Sequence, residues 1–441
     1  MNSKRVTIIG LMLFSLFFGA GNLIFPPLLG MESGNAFVPA ISGFILTGVF
    51  LPFIAVLVVV VTNGGLVEIG SRVHKVFGIL FAIIIYLSIG PLYAIPRTAT
   101  VAYELSFQQF FPTAGNWTLI VFSALFFLLA LYVCLRPQKI VDWIGQWLTP
   151  VLLGALALLF IRAFFQLDYT NTPVAEKYAA NPFLTGFIEG YFTLDAVAAL
   201  AFGVVVVNAL KDSGVQSKKN LLKGSIGAGL IAAFGLALVY IALGWIGVVI
   251  PRTMEFTNGA ELLTAASQLL FGSFGSFLFS VIVLLACFTT CAGLINACGS
   301  FFHELYPKFR YQTYAIGFTV IGFLISSLGL NTLLNSVVPV LLLIYPVAIV
   351  LMALSLLQPL IGAGKMMYRL AVTLTLIYAV HDALVSLGLN LDWAAQWIGF
   401  VPFFNLGLGW TIPAVVGSLI GFIIDKLIAK DHPSVPAHGK N

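Results

Sequence analysis

Apolar residues run along this chain in long blocks, separated by short polar stretches that hold most of the charge. A helix rises about 1.5 Å per residue, so about 20 apolar residues cross a ~30 Å hydrocarbon layer. Twelve blocks reach about that length, near 6–29, 37–61, 77–98, 116–135, 140–164, 185–209, 224–250, 273–302, 311–329, 333–357, 367–389 and 406–428. These are spans 1 to 12 below. A shorter segment, about 259–271, follows span 7. Glu261, Thr264, Ser267 and Gln268 interrupt its apolar face, which predicts a helix lying outside the bilayer. The short alternating segments of an outer-membrane barrel do not occur. The pattern therefore predicts an all-α integral membrane protein, a single transmembrane domain over 1–441.

Two spans break their own pattern. Span 1 stops being a good helix at Gly19-Ala20-Gly21-Asn22, then runs on to Pro26-Pro27. Backbone that leaves a helix at membrane depth must line a protein-enclosed cavity, since each unsatisfied N–H or C=O costs several kcal/mol in hydrocarbon. The alternative, close helix packing through small residues, accounts for the glycines but not for the asparagine and the proline pair. Span 6 carries Glu189-Gly190-Tyr191-Phe192-Thr193-Leu194-Asp195, with Asp195 deep in the apolar block and Glu189 near its outer end. An acid at mid-span costs about 2.5–3.5 kcal/mol on insertion scales and marks a site by default. Spans 1 and 6 lie five apart, so two five-helix inverted repeats make them symmetry mates. The predicted halves are about 6–164 and 185–357, with extra helices at about 367–428.

Composition agrees with the pattern: 60% of the 441 residues are hydrophobic and 8% charged, against about 25% charged in soluble domains. Charge also orients the spans. With the N-terminus inside, 17 of the 21 basic residues fall on the inner side, and only Arg97, Arg162, Lys177 and Arg252 fall outside. Cationic loops stay cytoplasmic, so both termini are predicted inside, in a bacterial cytoplasmic membrane. The net charge of +5 needs no nucleic-acid partner; cytoplasmic loops facing anionic lipid explain it. The first block runs past Gly30 without a small-residue cleavage site and is read as a retained span. Cys134, Cys287, Cys291 and Cys298 all sit in apolar runs and read as packing residues.

Other polar positions are less specific. Span 8 carries Ala286-Cys287-Phe288-Thr289-Thr290, whose hydroxyls and a carbonyl are hard donors suited to an alkali cation. Lone membrane threonines also bond their own helix. In span 3, Gly90-Pro91-Leu92-Tyr93-Ala94-Ile95-Pro96-Arg97 offers Tyr93 as a carboxylate ligand, with the prolines as kinks. Pro339, Tyr345 and Pro346 kink span 10, and His381-Asp382 reads as a polar pair in span 11. No HExxH, Walker, GxSxG or CxxC pattern supports an enzyme.

LMLFSLFFGAGNLIFPPLLGME at Leu11–Glu32, GPLYAIPRTAT from Gly90 and EGYFTLDAVAALAFG from Glu189 closely resemble the bacterial branched-chain amino acid:cation symporters. The likeness runs along essentially the whole chain. More remotely, the chain is similar to the sodium-coupled leucine-transporter fold, twelve helices in a 5+5 inverted repeat plus two, with helices 1 and 6 broken. That resemblance implies two sodium sites. One falls on Ser15, Phe18, Ala286, Thr289 and Thr290, and the other on Phe17, Asn22 and Thr193. It also implies a substrate site at Gly19, Ala20, Gly21, Asn22, Tyr93, Phe192 and Asp195. Asp195 departs from the remote fold, which has a small hydroxyl residue there. It can neutralise the substrate ammonium, ligate sodium or carry a proton.

The resemblance thus implies uptake of leucine, isoleucine or valine driven by an inward Na+ gradient, with H+ as the other candidate ion. A membrane-embedded transferase, a channel and an amino-acid sensor are the competing classes. The expected partners are a small amino acid and the lipid bilayer; the sequence leaves oligomeric state open.

Overall fold

The computed structural model describes residues 3–62, 64–108, 110–111, 115, 117–135, 149–167, 172–215, 217–250, 256–362 and 364–431. The regular elements among the described residues are all helices, with no strand among them. Eight helices are long and apolar enough to cross a bilayer, and the bent pair of span 6 makes a ninth; Leu153–Gln166 and Tyr311–Ser326 are shorter apolar helices. The first part of span 5, with Arg136 and Lys139 before it, and Arg252 lie outside the described residues.

Span 1 is two helices, Ser3–Phe17 and Ala20–Ser33, parted at Phe18 and Gly19. The second begins at Ala20, so Pro26 and Pro27 lie inside it rather than at its start. Span 6 is Pro182–Glu189, a 3-10 turn Gly190–Thr193, and Asp195–Asp212, bent by 46°. Pro182 fits the first helical position, and the Asn181 side chain accepts the Leu184 N–H at 3.1 Å as a cap. At the hinge, Leu194 holds φ 69° and ψ 4°, a left-handed setting that costs a non-glycine residue about 1–2 kcal/mol.

Span 3 corrects the predicted boundary of 98. Lys75–Ile89 and Ala94–Tyr103 flank an irregular Gly90–Tyr93, and a π turn continues to Gln108. Leu92 and Ile95 donate to carbonyls five residues back, Leu87 and Gly90, at 3.1 Å each; Leu92 takes the Leu87 carbonyl that Pro91, without an N–H, leaves open. Arg97 is therefore in mid-span and 4% exposed, not in an outer loop as the charge count placed it. The segment 259–271 and span 8 form one run, Gly259–Leu305, redirected at Gly272, whose φ of 64° favours glycine. Asp392–Ile398 is a short helix that the pattern did not announce.

The chain forms two compact units. Residues 1–65 and 83–338 make one; residues 66–82 and 339–441 make the other. In the first, both halves of span 1 pack on span 7, Lys218–Val249, and the second half also packs on Gly259–Leu305. Pro182–Glu189 packs on Phe37–Ile45, and Asp195–Asp212 on Leu51–Thr62, both parts of span 2. Ala94–Tyr103 lies against the span 8 helix.

In the second unit, Lys365–Ser386 packs on Thr411–Asp431. The Asp425 carboxylate accepts the N–H groups of Met366 and Met367 at 3.1 and 2.9 Å, capping span 11. Arg72 donates to Gln358 and to the Tyr368 hydroxyl at 2.7 Å, and Arg369 to the Val73 carbonyl at 3.0 Å. His381 and Asp382 pair at 3.1 Å in span 11.

Candidate functional site

The two breaks meet. Gly19, extended at φ −127°, donates its N–H to Asn22 Oδ1 at 3.0 Å, so the helix end caps itself. The other end of that amide, Asn22 Nδ2, donates to Asp195 Oδ2 at 2.6 Å and to the Tyr240 hydroxyl. Tyr240, from span 7, donates to the same Asp195 oxygen at 2.5 Å. Asp195 opens the second helix of span 6, where the positive end of the helix dipole favours an anion. Thr193 Oγ1 accepts the Asp195 N–H at 3.3 Å and donates to the Gly190 carbonyl at 2.9 Å.

Arg97 binds the span 6 break from the other side. Its Nη1 donates to the Phe192 carbonyl at 2.8 Å and to the Tyr93 hydroxyl at 3.2 Å. Its Nη2 donates to the Thr193 carbonyl at 3.2 Å. These carbonyls lie where the span leaves its α-helix, so the guanidinium satisfies acceptors that hydrocarbon would otherwise strand. The guanidinium carbon lies over two rings, 4.8 Å from the centre of Tyr93 and 5.8 Å from that of Phe25.

Both glycines of the span 1 break are explained by close approach. A Cβ on Gly19 would stand 2.7 Å from Thr290 Oγ1, and one on Gly21 would stand 2.7 Å from Arg97 Nη2. The small residues therefore admit a span 8 hydroxyl and a span 3 guanidinium to the backbone of the break.

A third cluster joins span 1 to span 8. Thr290 Oγ1 lies 3.4 Å from the Phe18 carbonyl, and Thr289 Oγ1 donates to the Ala286 carbonyl at 2.9 Å. Ser15 is buried one turn before Phe18. The set implied by resemblance, Ser15, Phe18, Ala286, Thr289 and Thr290, thus includes two side-chain-to-carbonyl contacts, one of them across the two spans. The other set is differently placed: Asn22 and Thr193 are brought together around Asp195, but their oxygens already face protein donors and acceptors.

Between the breaks lies a cavity of about 20 Å³, lined by Gly19, Ala20, Asn22, Thr193, Asp195 and Arg97 among others, room for about one water molecule. Leu16, Phe17, Ile89 and Phe202 give it apolar wall. Tyr93, Phe192 and Gly21, predicted for the substrate site, are not on that wall. Tyr93 supports Arg97, Gly21 packs against it, and the Phe192 ring meets Phe25 at 5.6 Å. A larger hollow, about 240 Å³, opens near Lys211 and Lys218 beside Gly64 and Gly65.

Glu189 serves elsewhere. Lys177 pairs with Glu32 at 2.6 Å and Glu189 at 2.9 Å, tying the ends of two broken halves. Burial works against the Lys177 ammonium, but Glu189 and Glu32 outweigh it and hold its pKa above the ordinary lysine value.

Sequence reasoning missed Arg97 and Tyr240 as site members. Tyr240 is a polar group inside the apolar block of span 7, the signal that singled out Asp195; Arg97 stands at the predicted end of span 3 and reads as an outer charge.

The profile described as branched-chain amino acid transport protein matches residues 2–428. The branched-chain amino acid permease BrnQ of Bacillus subtilis is 41% identical over 428 residues, 96% of this chain and 97% of that protein. Among solved structures, Mhp1, a nucleobase-cation-symport-1 family transporter, superposes with a TM-score of 0.64 at 16% identity, covering 98% of this chain and 94% of that one. MhsT in complex with L-phenylalanine gives 0.52 at 17% identity, covering 94% and 98%. These two likenesses show the leucine-transporter type of fold. With broken spans that meet in a cavity and a profile match along nearly its whole length, the chain belongs to the branched-chain amino acid transport protein family, transporters rather than enzymes.

Proposed function

We propose that the protein is a symporter that imports leucine, isoleucine or valine with an inward Na+ gradient across a bacterial cytoplasmic membrane, both termini inside. The observation that carries the ion is the oxygen cluster joining Phe18 in the span 1 break to Thr290 in span 8, with Thr289 adjacent and Ala286 one turn back. Hydroxyl and carbonyl oxygens suit an alkali cation and need no titrating group. A cation held by Ser15, Phe18, Ala286, Thr289 and Thr290 ties spans 1 and 8 together. One arrangement of the moving helices is thereby favoured before the amino acid binds. We assign the ion to this set rather than to Phe17, Asn22 and Thr193, because Asn22 and Thr193 are committed to the cluster around Asp195.

The amino acid sits between the breaks. Its ammonium meets Asp195, its carboxylate lies at the start of Ala20–Ser33, where the helix dipole favours an anion, and its branched side chain packs on Phe17, Phe202 and Ile89. A cavity of about 20 Å³ does not admit leucine, so binding requires the broken halves to move apart. The Phe25–Phe192 ring pair is the outer gate. We infer a 5+5 inverted repeat with two further helices, supported by reciprocal packing: span 1 lies on span 7 as span 6 lies on span 2.

Proton coupling is the second reading, favoured by a buried carboxylate at the centre of the site. Labelled leucine uptake into proteoliposomes separates the two. Concentrative uptake is expected with an inward Na+ gradient at equal pH, and none with a proton gradient in sodium-free buffer. Undiminished uptake without sodium overturns the sodium assignment. Thr289→Ala is expected to raise the half-saturating Na+ concentration about tenfold while leaving the choice among aliphatic substrates unchanged.

A further inference from the structure

A guanidinium carries five N–H donors in one plane. In Arg97 three are used: two from Nη1, to Phe192 and Tyr93, and one from Nη2, to Thr193. Nε is buried without a hydrogen-bond partner among the described residues. One N–H on Nη2 is likewise unassigned. The carbonyls of Phe192 and Thr193 are successive in the chain and take the end of the fork. The remaining Nε–Nη2 edge presents two parallel donors, the spacing that a carboxylate accepts with both oxygens. The Tyr93 and Phe25 rings and the Gly21 backbone flank the guanidinium carbon, and the Nε–Nη2 edge is the part of the group without an assigned partner.

Its surroundings name the ligand. Arg97 and Asp195 both line the cavity, and they are its one base and its one acid. Nη2 rests against Gly21, near the start of Ala20–Ser33, where an anion is favoured. The opposite charge, Asp195, is held by Asn22 and Tyr240. One base and one acid on the same cavity complement a zwitterion, and neither charge is left uncompensated once it binds.

We propose that Arg97 is the fixed cation of the substrate site and binds the amino-acid carboxylate through its Nε–Nη2 edge. The carbonyls of the span 6 break are thereby closed to the substrate ammonium, which goes to Asp195. This rests on the transport reading above for the identity of the substrate as an α-amino acid, and not on the choice of coupling ion.

Competition against labelled leucine in proteoliposomes tests it, using leucinol, in which an alcohol replaces the carboxylate. The wild-type protein is expected to prefer leucine over leucinol about 100-fold. Arg97→Gln is expected to bring the two within a few-fold of each other by weakening leucine alone. Arg97→Lys keeps the charge but loses the fork, and is expected to lose about tenfold of the preference. Leucine- and leucinol-induced shifts in melting midpoint give the same comparison without transport. They keep the lysine variant informative if the glutamine variant does not fold. A wild-type leucine/leucinol ratio in either variant, or equal weakening of both ligands, overturns the proposal. The ratio is read under whichever ion gradient drives uptake, so failure of sodium coupling shows separately.

Discussion

In span 1 the chain leaves its helix through glycine in an extended setting, while in span 6 it leaves through a leucine held left-handed. The first break is relaxed in itself and draws other groups in, since Gly19 and Gly21 let Thr290 and Arg97 reach the backbone. The second is strained at Leu194 and is held from outside, its carbonyls bonded to Arg97 and its acid to Asn22 and Tyr240. The breaks therefore contribute opposite chemistry. Span 1 supplies a helix start that favours anions and a carbonyl beside the Thr290 hydroxyl; span 6 supplies the carboxylate. Strain at a functional hinge persists only where its surroundings over-determine it, and here Arg97 and Asn22 do so.

The sharpest way to break this comparison is to remove the group that joins the two breaks. Asp195→Asn is expected to lower leucine kcat/KM about 100-fold or more, since it removes a buried charge and leaves Asn22 and Tyr240 pointing at an amide. Near-normal uptake kinetics would show that the acid is dispensable. An intermediate effect is expected from Gly19→Ala, whose Cβ presses on Thr290 Oγ1. The half-saturating Na+ concentration should rise about tenfold, with the leucine/leucinol ratio unchanged; a sodium titration that does not move would detach the first break from the ion.

The smallest effect belongs to the outer tie. Lys177 is 42% exposed, so Lys177→Met is expected to cost about 1 kcal/mol or less of stability. The sign of its pH dependence follows from its raised pKa. The stabilisation is complete below the unfolded lysine pKa and is lost only as pH rises through the higher folded value. A melting midpoint that fell between pH 6 and 8 because of this lysine would contradict the pairing with Glu32 and Glu189.

Both breaks were legible in the sequence because each violates a local rule: glycines and an amide at mid-span, an acid in an apolar run. The helix 259–271 was legible for the same reason; its union with span 8 through Gly272 was found only in the structure. Arg97 was not. Two prolines and a glycine before it mimic the end of a span, and a charge after them reads as a loop residue; only the continuation of span 3 to Gln108 puts it inside. Phe192 was implied for the substrate site by the resemblance; the 3-10 turn places its ring against Phe25, a pairing no local pattern announces.

Hydropathy and charge are properties of each segment taken alone, since every span must be soluble in hydrocarbon and every loop must take a side of the bilayer. The sequence by itself therefore determined the helical class, the long apolar segments and the two places where helix fails. Partnership is different in kind. Asn22 finds Asp195 across 173 residues and Tyr240 across 218, and Arg97 finds Thr193 across 96. No local preference encodes such meetings; they arise when packed helices bring stranded polar groups within reach of one another, and that was decided by the tertiary structure.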